Sequence, residues 1–246
     1  MTVWIALPAY NEGPRIGALL DRWSSVMGDM NQPHRYVIVD DGSTDDTPRI
    51  LAEFAKSQPA DITTHPRNLG LGPTLRDALF AVANRAHPDD LIVTMDADNT
   101  HPPELLPDML DVMNRTNCDV VIASRFREGA RVDGVSPFRR LTAGGAGLLF
   151  RLLLPVRGVR DYTCGYRLCR VSTLCRAMAL GGDRFCARPG FECTADVLLS
   201  LAAAGATFAE VPLHLSYSAK AGASRMPVAK TIRATLNLVI SHRFRR

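Results

Sequence analysis

Short apolar runs alternate with helical periodicity through the first half of the chain. The runs are typical of buried strands, and the segments between them place apolar side chains three or four residues apart, as in helices. The predicted strands are Val3 to Leu7, Tyr36 to Val39, Ile62 to His65, Leu91 to Met95 and Val120 to Ala123. The predicted helices are Gly13 to Met27, Thr47 to Lys56, Thr74 to Arg85 and Pro103 to Asn114. This alternation predicts an α/β fold with a doubly wound, mostly parallel sheet flanked by helices.

The second half of the chain is less regular. A helix is predicted from Ala195 to Ala204, and a strand from Thr207 to Val211 completes the sheet. The segment Val228 to Ile240 is predicted to be an amphipathic helix, with Lys230 and Arg233 opposite its apolar residues. Two interpretations of this helix are open: it lies on a membrane surface, or it packs as the last helix of the core.

Composition indicates a globular protein with one core. The chain has 246 residues, of which 46% are hydrophobic and 22% charged. It has no apolar run of membrane-spanning length, and its N-terminus has no basic region followed by an apolar one, so neither a spanning helix nor a secretory signal is expected. The six cysteines form no C-x-x-C pair, so reduced thiols in a cytoplasmic protein are expected and a zinc site is not.

The net charge of +4 is unevenly distributed along the chain. Ten arginines lie between residues 139 and 188, against only Asp161 and Asp183. After Glu210 the chain contains basic residues but no acidic one. A positively charged second half indicates a phosphate-bearing ligand or an anionic membrane surface. Nucleic acid is not expected as a partner, because the segment lacks interleaved aromatic residues and a recognised binding motif.

Three of the predicted strands end in polar residues. The segments that follow them are Pro8 to Glu12, Asp40 to Ser43, and Asp96-Ala97-Asp98. Since ligands bind beyond the carboxyl ends of parallel strands, we expect these segments to meet at one edge of the sheet. Mg²⁺ or Mn²⁺ takes one or two carboxylates together with phosphate oxygens, so Asp96 and Asp98 indicate a metal site for a nucleoside diphosphate. The alternative, a turn that caps the next helix, remains open from the spacing alone.

The order of these motifs resembles that of a known enzyme family. From about Val3 to about Arg233 the chain resembles family 2 glycosyltransferases of the GT-A fold, in particular dolichol-phosphate mannose synthases and polyprenyl-phosphate sugar transferases. The matching segments are PAYNE (Pro8 to Glu12), VDDGSTDDT (Val39 to Thr47), DAD (Asp96 to Asp98), ASRF (Ala123 to Phe126), CGYR (Cys164 to Arg167), EVP (Glu210 to Pro212) and GASRM (Gly222 to Met226). Each segment alone is a weak signal, whereas seven in the family's order are a strong one.

The resemblance implies a single GT-A domain and a nucleoside diphosphate sugar, of UDP or GDP type, as donor. The domain would cover residues 1–226, with a nucleotide-sugar half (1–123) and an acceptor half (124–226), followed by a basic amphipathic segment (227–246). The expected donor-binding residues are Pro8, Tyr10, Glu12, Val39, Asp41, Asp96, Ala97, Lys220 and Arg225. Asp41 is expected to accept a hydrogen bond from a ring N–H of the base, whereas one of Asp40 and Asp41 would serve only as a turn or cap residue.

The resemblance assigns the metal to the DAD motif. Asp98 is the expected direct ligand of Mg²⁺ or Mn²⁺, and Asp96 would hold the ribose or share the ion. Thr100 stands where many relatives have a glutamine, and its hydroxyl is a poorer third ligand that Asn99 or a water could replace. Acting as a Lewis acid, the metal would stabilise the leaving nucleotide as the bond to the sugar C1 breaks.

Other residues are expected to act on the acceptor. Arg125 and Arg139, with Arg140, stand where relatives hold phosphates. Glu192 stands where the mannose synthases have a lysine, so it is expected to bind sugar hydroxyls or to act as a base toward a hydroxyl acceptor. A second departure lies near Gly222, because Ala219 and Ala221 stand where the family often has an arginine. Lys220 lies between them, and Arg225 takes the family's lysine position.

The acceptor determines the mechanism. The apolar stretch Leu141 to Val156, flanked by arginines, is expected to receive a lipid tail at the membrane interface, although a buried core helix is a serious alternative. We therefore predict an inverting, metal-dependent transfer to a polyprenyl or dolichyl phosphate, by a peripheral protein at the cytoplasmic (inner) face of the membrane. A homodimer is possible. The alternatives are a soluble hydroxyl acceptor and a nucleotide-sugar-binding protein without turnover, while the absence of G-x-G-x-x-G after the first strand disfavours a dinucleotide oxidoreductase.

Overall fold

The computed structural model of the protein describes residues 1–134, 145, 147, 149–216 and 228–243. Strands and helices alternate through the first of these ranges. The elements are β1 (Val3–Ala9), α1 (Gly13–Met30), β2 (His34–Asp40), α2 (Thr47–Phe54), β3 (Ala60–Thr64), α3 (Leu71–Ala83), β4 (Leu91–Thr94), α4 (Leu106–Thr116), β5 (Val120–Ser124), β6 (Arg131–Asp133), α5 (149–153), β7 (Arg167–Arg170), α6 (Val171–Gly181), α7 (Cys193–Ala203), β8 (Phe208–Pro212), β9 (His214–Ser216) and α8 (Val228–Arg243). Short 3₁₀ turns precede α4 at Pro103–Leu105 and follow α6 at Gly182–Arg184.

Of the described strands, seven form one sheet in the order β3-β2-β1-β4-β7-β5-β8. β1 pairs in parallel with β2 and β4, β2 with β3, and β5 with β8. β7 runs antiparallel to both of its neighbours, β4 and β5. β6 and β9 form a separate parallel pair. The predicted α/β class and the mostly parallel sheet are therefore confirmed.

The core lies on both faces of the sheet. Every residue of β1 is buried, as expected for a central strand covered by helices on either side. Helix α1 buries Ile16, Leu19, Leu20 and Trp23, which lie on one face at helical spacing. Burying a large apolar side chain contributes about 1.5–3 kcal/mol, so this stripe is sufficient to hold α1 against the sheet.

The structure differs from the predicted elements in two ways. Helix α3 begins at Leu71 rather than Thr74, because the chain turns into the helix directly after Gly70. β6, β7, α6 and β9 were not predicted at all. β7 reads as a polar segment because it begins and ends with arginine, yet Arg167 is buried and its guanidinium donates to the carbonyl oxygens of Thr194 (2.6 Å) and Tyr162 (2.9 Å).

The predicted C-terminal helix is present as α8, and it packs on the domain. Leu238 and Val239 are buried, and His242 Nε2 lies 2.8 Å from Oδ1 of the buried Asp196 on α7. Ile240, by contrast, is 55% exposed. The side chain of Lys230 lies outside the described part of the chain, and the amphipathic character of this helix stays a prediction.

The predicted acceptor stretch, Leu141 to Val156, is described only in part, since residues 141–144, 146 and 148 lie outside the described ranges. Phe150 is fully buried and stacks on Tyr162, with ring centroids 5.1 Å apart. Leu152, on α5, is 70% exposed. The described part of this stretch thus has residues in the core, Phe150 and Leu154, and residues that face solvent, Leu152 and Leu153.

None of the helices in the described ranges is long and apolar enough to cross a membrane.

The first turn of α3 lies directly against a neighbouring backbone segment, and this contact is testable. The amide of Gly72 donates to the carbonyl oxygen of Pro189 (3.1 Å). A Cβ added at position 72 would lie 1.8 Å from the backbone carbonyl oxygen of Arg188. We expect Gly72→Ala to lower the free energy of unfolding by about 1–3 kcal/mol, because the 188–189 backbone must move.

Gly28→Ala on α1 is the matched control, because a Cβ there meets nothing within 4 Å. It should raise the free energy of unfolding by about 0.5–1 kcal/mol through helix propensity. Denaturant titration of both variants measures the difference. A Gly72→Ala protein as stable as the wild type would show that the two segments are not in close contact.

Candidate active site

The loops after β1 and β2 form one surface at the carboxyl edge of the sheet. Ala9 pairs with Asp40 at the ends of these strands, and the amide of Asp41 donates to the Ala9 carbonyl oxygen (2.8 Å). Asn11 joins the two loops, because its amide donates to Ser43 Oγ (2.8 Å) and its Oδ1 accepts from the Thr44 amide (2.7 Å). The predicted meeting of these two segments therefore occurs in the structure.

The expected donor-binding residues of the first strand lie along this edge. Pro8 pairs with Val39 across β1 and β2, and Tyr10 and Glu12 are partly exposed just beyond the strand. The Glu12 carboxylate accepts from Arg15 Nη1 (3.0 Å). The buried Thr47 hydroxyl accepts from the amides of Glu12 and Gly13 (2.9 and 2.8 Å), which fixes the loop to the start of α2. Their roles as nucleotide contacts stay predictions.

The two aspartates after β2 have different environments. Asp40 Oδ1 accepts from the Ser43 amide (3.2 Å), which is the turn role expected of one member of the pair. Asp41 accepts from the amides of Leu69 and Gly70, both at 2.8 Å, and its Oδ1 also lies 2.8 Å from His65 Nδ1. A carboxylate has about four acceptor positions, so Asp41 retains one, on Oδ2, among its contacts with described residues.

The glycine after Asp41 allows the loop before α3 to approach closely. Gly42 has φ +68°, and a Cβ there would lie 2.6 Å from the backbone of Arg67. A side chain at position 42 would therefore push away the segment whose amides Asp41 accepts. The glycine permits the Asp41 contacts rather than making any contact itself.

The DAD motif lies at the same edge, directly after β4, which pairs with β1. Asp98 Oδ1 accepts from the amide (3.1 Å) and the hydroxyl (2.6 Å) of Thr100. Asn99, between Asp98 and Thr100, has φ 58°, and its Oδ1 accepts from Arg22 Nη1 (2.7 Å). The Nε and Nη2 of Arg22 donate to the Glu104 carboxylate. The side-chain oxygen of Asn99 is therefore bound to α1, whereas Thr100 is held against Asp98.

The donor atoms of this motif suit a hard divalent cation. Asp96 and Asp98 supply carboxylate oxygens, and the described residues contain no group of three His, Cys, Asp or Glu side chains that could hold a metal by itself. Mg²⁺ and Mn²⁺ accept such an incomplete set, because phosphate oxygens and water fill the remaining positions. The residues thus fit a metal that binds together with a diphosphate, and Thr100 as third ligand stays a prediction.

His101 follows the motif but is a buried residue of the core. It is 4% exposed, and its Nε2 lies 3.9 Å from Cys164 Sγ. Burial lowers the pKa of His101 despite the nearby carboxylates of Asp96 and Asp98. The neutral ring packs edge-on against Tyr166, with ring centroids 5.7 Å apart, and this packing joins the DAD motif to the core.

Arg125 forms a buried ion pair at the end of β5. Its Nε and Nη2 donate to the two carboxylate oxygens of Asp161 (2.8 and 2.7 Å), and its amide donates to Oδ2 (3.0 Å). Asp161 also accepts from the amides of Thr163 (3.2 Å) and Cys164 (3.1 Å). Burial opposes the charge on Asp161, but Arg125 and these amides outweigh it and lower the pKa of the carboxyl below its ordinary value of 3.8. This environment disfavours Asp161 as a catalytic base, and a phosphate contact by Arg125 stays a prediction.

Helix α7 begins next to the DAD motif. Asp96 and Thr194 line the same small cavity, of about 20 Å³, together with Gly165 and Arg167. Glu192 precedes the first residue of α7 and is 9% exposed, and its carboxylate forms no hydrogen bond with any described residue. Of the other expected site residues, Arg139, Lys220 and Arg225 lie outside the described ranges, as do Arg140 and the GASRM segment.

The expectations from sequence missed two buried cationic groups near the site. Arg167 joins the segment before β7 to α7 through the carbonyl contacts described above, and His65 lies beside Asp41. A signal for His65 was available, because the residue directly follows β3 and hence lies at the same edge as the other strand ends. Arg167 ends the CGYR motif, but the motif does not indicate a buried guanidinium, since one of its acceptors, the Thr194 carbonyl, lies 27 residues away.

Comparison with protein families gives an independent line of evidence. The profile described as glycosyl transferase family 2 matches residues 4–174. A dolichol-phosphate mannosyltransferase from Pyrococcus furiosus is 28% identical over 167 residues, which are 68% of this chain and 45% of that protein. A dolichyl-phosphate beta-glucosyltransferase from Trichomonas vaginalis is 26% identical over 247 residues, covering 96% of this chain and 71% of that protein. The chain thus matches less than half the length of the Pyrococcus protein.

Solved structures share the fold at lower identity. Glucosyl-3-phosphoglycerate synthase from Mycobacterium tuberculosis, in complex with UDP, has a TM-score of 0.65 at 21% identity, covering 98% of this chain and 79% of that chain. Mannosyl-3-phosphoglycerate synthase from Rubrobacter xylanophilus has a TM-score of 0.65 at 21% identity, covering 97% and 73%. With the observed sheet order, these likenesses confirm the predicted GT-A fold.

The Arg125–Asp161 pair generates a stability prediction. We expect Asp161→Asn to lower the free energy of unfolding at neutral pH by about 3–5 kcal/mol, because it leaves a largely buried guanidinium without its carboxylate. The control is Asp111→Asn, which breaks the exposed pair with Arg115 (2.8 Å) and should cost less than about 0.5 kcal/mol.

Denaturant titration at several pH values separates charge from packing. A lowered carboxyl pKa stabilises the fold above the unfolded value, and this contribution is lost as the pH falls through the folded value. The difference between wild type and Asp161→Asn should therefore be largest at neutral pH and should shrink in acid. A difference that does not change with pH would mean that the loss comes from packing alone.

Proposed function

Because this chain belongs to glycosyl transferase family 2, we propose that it transfers a sugar from a nucleoside diphosphate sugar to a polyprenyl-type phosphate, with inversion at C1. The observation that carries the proposal is the convergence of the loops after β1, β2 and β4 at one edge of the sheet. The dolichyl-phosphate transferases among the relatives support the acceptor class. The donor sugar and base are left open.

The donor half supplies binding and orientation. In our proposal, Asp41 contacts the base through its remaining acceptor position, and Glu12 lies where ribose hydroxyls can reach it. Asp96 and Asp98 would hold Mg²⁺ or Mn²⁺ against the diphosphate. The ion, when bound, neutralises charge that develops on the leaving diphosphate. The protein's own contribution is to hold Asp98 in place, since Thr100 donates to its carboxylate and Arg22 fixes the turn beside it.

The transfer step needs no general base when the acceptor is a phosphate. An acceptor phosphate oxygen, already an anion, attacks C1 from the face opposite the diphosphate. The bond from C1 to the β-phosphate oxygen breaks, and its electron pair leaves with the nucleoside diphosphate. No proton is transferred, so the acceptor side requires cations rather than a carboxylate. The arginine-rich segment between residues 139 and 188 is a source of such cations.

We further propose that the protein acts as a peripheral protein at the cytoplasmic face of the membrane. Exposed apolar side chains support this location, since they can contact lipid next to basic residues. They are Leu152 (70% exposed), Leu153 (42%), Phe191 (44%), Leu236 (44%) and Ile240 (55%). In this arrangement residues 1–123 bind the donor, 124–226 the acceptor, and the basic segment 227–246 contacts the membrane surface.

One observation favours a second candidate, the transfer to a hydroxyl of a soluble acceptor. Glu192 is buried at the start of α7, whose Thr194 lines a cavity with Asp96, and its carboxylate forms no hydrogen bond with the described residues, so it is available to take a hydroxyl proton. The proton would move to Glu192 as the acceptor oxygen bonds to C1 and the nucleoside diphosphate leaves. Two structural neighbours are named glucosyl-3-phosphoglycerate synthase and mannosyl-3-phosphoglycerate synthase. In both names the sugar is joined to a small molecule rather than to a lipid.

The first test measures nucleotide release from UDP-, GDP- and dTDP-sugars, with Mg²⁺ or Mn²⁺, in the presence and absence of a short polyprenyl phosphate. We expect release to require both metal and lipid phosphate. Asp98→Ala should lower the rate at least about 100-fold, because the leaving diphosphate loses its electrostatic support. Asp108→Ala, an exposed aspartate on α4, is the control and should leave the rate unchanged.

The outcomes separate the candidate functions. Release that requires metal and Asp98 but ignores the lipid would favour the soluble acceptor. Nucleotide binding without release from any donor, under all conditions, would contradict both transfer reactions and leave a binding protein.

Glu192 distinguishes the two acceptors. We expect Glu192→Gln to leave transfer to polyprenyl phosphate within about threefold of the wild type, since an anionic nucleophile needs no base. With a hydroxyl acceptor, the same change should lower kcat about 100-fold or more and remove the acidic limb of the pH–rate profile. Initial rates with each acceptor, measured for wild type and Glu192→Gln, decide between these results.

A further inference from the structure

A histidine bridges two carboxylates at the base side of the candidate site. His65 directly follows β3 and is 7% exposed. Its Nδ1 lies 2.8 Å from Asp41 Oδ1, and its Nε2 lies 3.0 Å from Asp77 Oδ2 on α3. Asp41 is buried, whereas the side chain of Asp77 is 53% exposed. The three side chains form a chain from the surface of α3 to the loop after β2.

Only the cationic form of the ring satisfies both contacts. A neutral imidazole carries one N–H, so one ring nitrogen would present a lone pair to a carboxylate oxygen. The imidazolium donates from both nitrogens. A neutral His65 would therefore lose either its bond to Asp41 or its bond to Asp77.

The charges around the ring favour the cation. The charged groups facing it are Asp41, from the end of β2, and Asp77, from α3; on its own loop, Arg67 is exposed. Burial opposes the charge, but the hydrogen bonds and charges of the two aspartates outweigh it and raise the pKa of His65 above its ordinary value of 6.5. The ring therefore changes charge above pH 6.5.

His65 also helps to fix the orientation of the Asp41 carboxylate. Two of the Asp41 contacts, from His65 and from the Leu69 amide, are made to Oδ1, and the Gly70 amide binds Oδ2. These contacts on both oxygens fix the plane of the carboxylate and leave one acceptor position on Oδ2. If the His65 bond is lost, each carboxylate oxygen keeps one backbone amide, and Oδ1 as well as Oδ2 then has an open acceptor position.

We propose that His65, as an imidazolium held by Asp77, is a positioning residue that orients the Asp41 carboxylate toward a ring N–H of the donor base. This inference rests on the proposed function, in which Asp41 contacts the base. His65 itself does not touch the nucleotide. This role predicts a pH dependence of donor binding. The affinity for the nucleotide should fall as the pH rises and the His65 ring loses its proton.

The test combines the titration of the histidine with nucleotide binding. NMR titration of the imidazole signals, assigned with His65→Gln, gives the pKa of His65. Calorimetry with UDP and GDP, in the presence of Mg²⁺ and over a pH range that spans this pKa, gives the affinity. In the wild type, we expect the affinity for the nucleotide that binds to decline about tenfold with a midpoint at the pKa of His65. His65→Gln should bind weakly, to a similar extent, at every pH.

Asp77→Asn provides a second variant that leaves Asp41 and the base pocket intact. It removes one of the two charges that raise the pKa of His65, so the midpoint of the binding profile should move to lower pH while the affinity at low pH is retained. His87→Gln and Asp89→Asn are the matched controls, since this exposed pair (3.4 Å) lies at the surface; neither should change the profile.

A methylated nucleotide tests whether the effect passes through the base. UDP methylated at N3, or GDP methylated at N1, lacks the ring N–H that Asp41 would accept. Its binding should be weak, independent of pH, and equal in wild type and His65→Gln.

The outcomes distinguish this inference from the function on which it rests. A wild type that binds neither UDP nor GDP would overturn the proposed function and the inference with it. A wild type whose nucleotide binding does not follow the pKa of His65, or an Asp77→Asn profile that does not move, would overturn the inference alone. Equal effects of His65→Gln on the methylated and unmethylated nucleotides would reduce His65 to a structural role.

Discussion

The burial of carboxylates in the loops around the candidate site is the constraint on which the rest of this structure depends. Such a group is tolerated only where donors or cations compensate it. Asp41 receives two backbone amides and a histidine, and Asp161 receives an arginine and three amides. In both cases the carboxylate holds loops of the site together by accepting hydrogen bonds from their backbone amides. The rigidity of the site is therefore a consequence of satisfying these buried charges.

The same constraint explains which features could be predicted from the sequence. The strands β1, β2 and β4 carry apolar runs that end in acidic or polar residues, and parallel strands bring such ends together. The predicted meeting of the segments after these strands at one edge of the sheet follows from that geometry. Asp40 as a turn residue also follows, because Asx side chains commonly accept from nearby backbone amides. These inferences needed only local patterns and the direction of the strands.

Long-range pairings could not be predicted in this way. Arg125 and Asp161 are separated by 36 residues, and neither neighbourhood indicates that they meet. Antiparallel β7 is inserted between β4 and β5, and Arg167 within it is compensated by carbonyls of Tyr162 and Thr194. Periodicity distinguishes buried from exposed positions, but it does not reveal that a buried arginine has found acceptors elsewhere. From sequence alone, such a charged residue is therefore predicted to lie at the surface.

In the proposed function, the two halves of the site meet different physical demands. The donor half must hold a charged diphosphate and a flat base, so it uses carboxylates fixed by backbone amides and short turns. The acceptor half would have to bring a second anion toward the first, which requires positive charge and the exclusion of water from the bond that forms. In the proposed function, Glu192 is the residue at which these demands would conflict, because a buried carboxylate would repel a phosphate acceptor yet assist a hydroxyl. Which acceptor the site takes therefore decides whether this carboxylate takes part in the transfer.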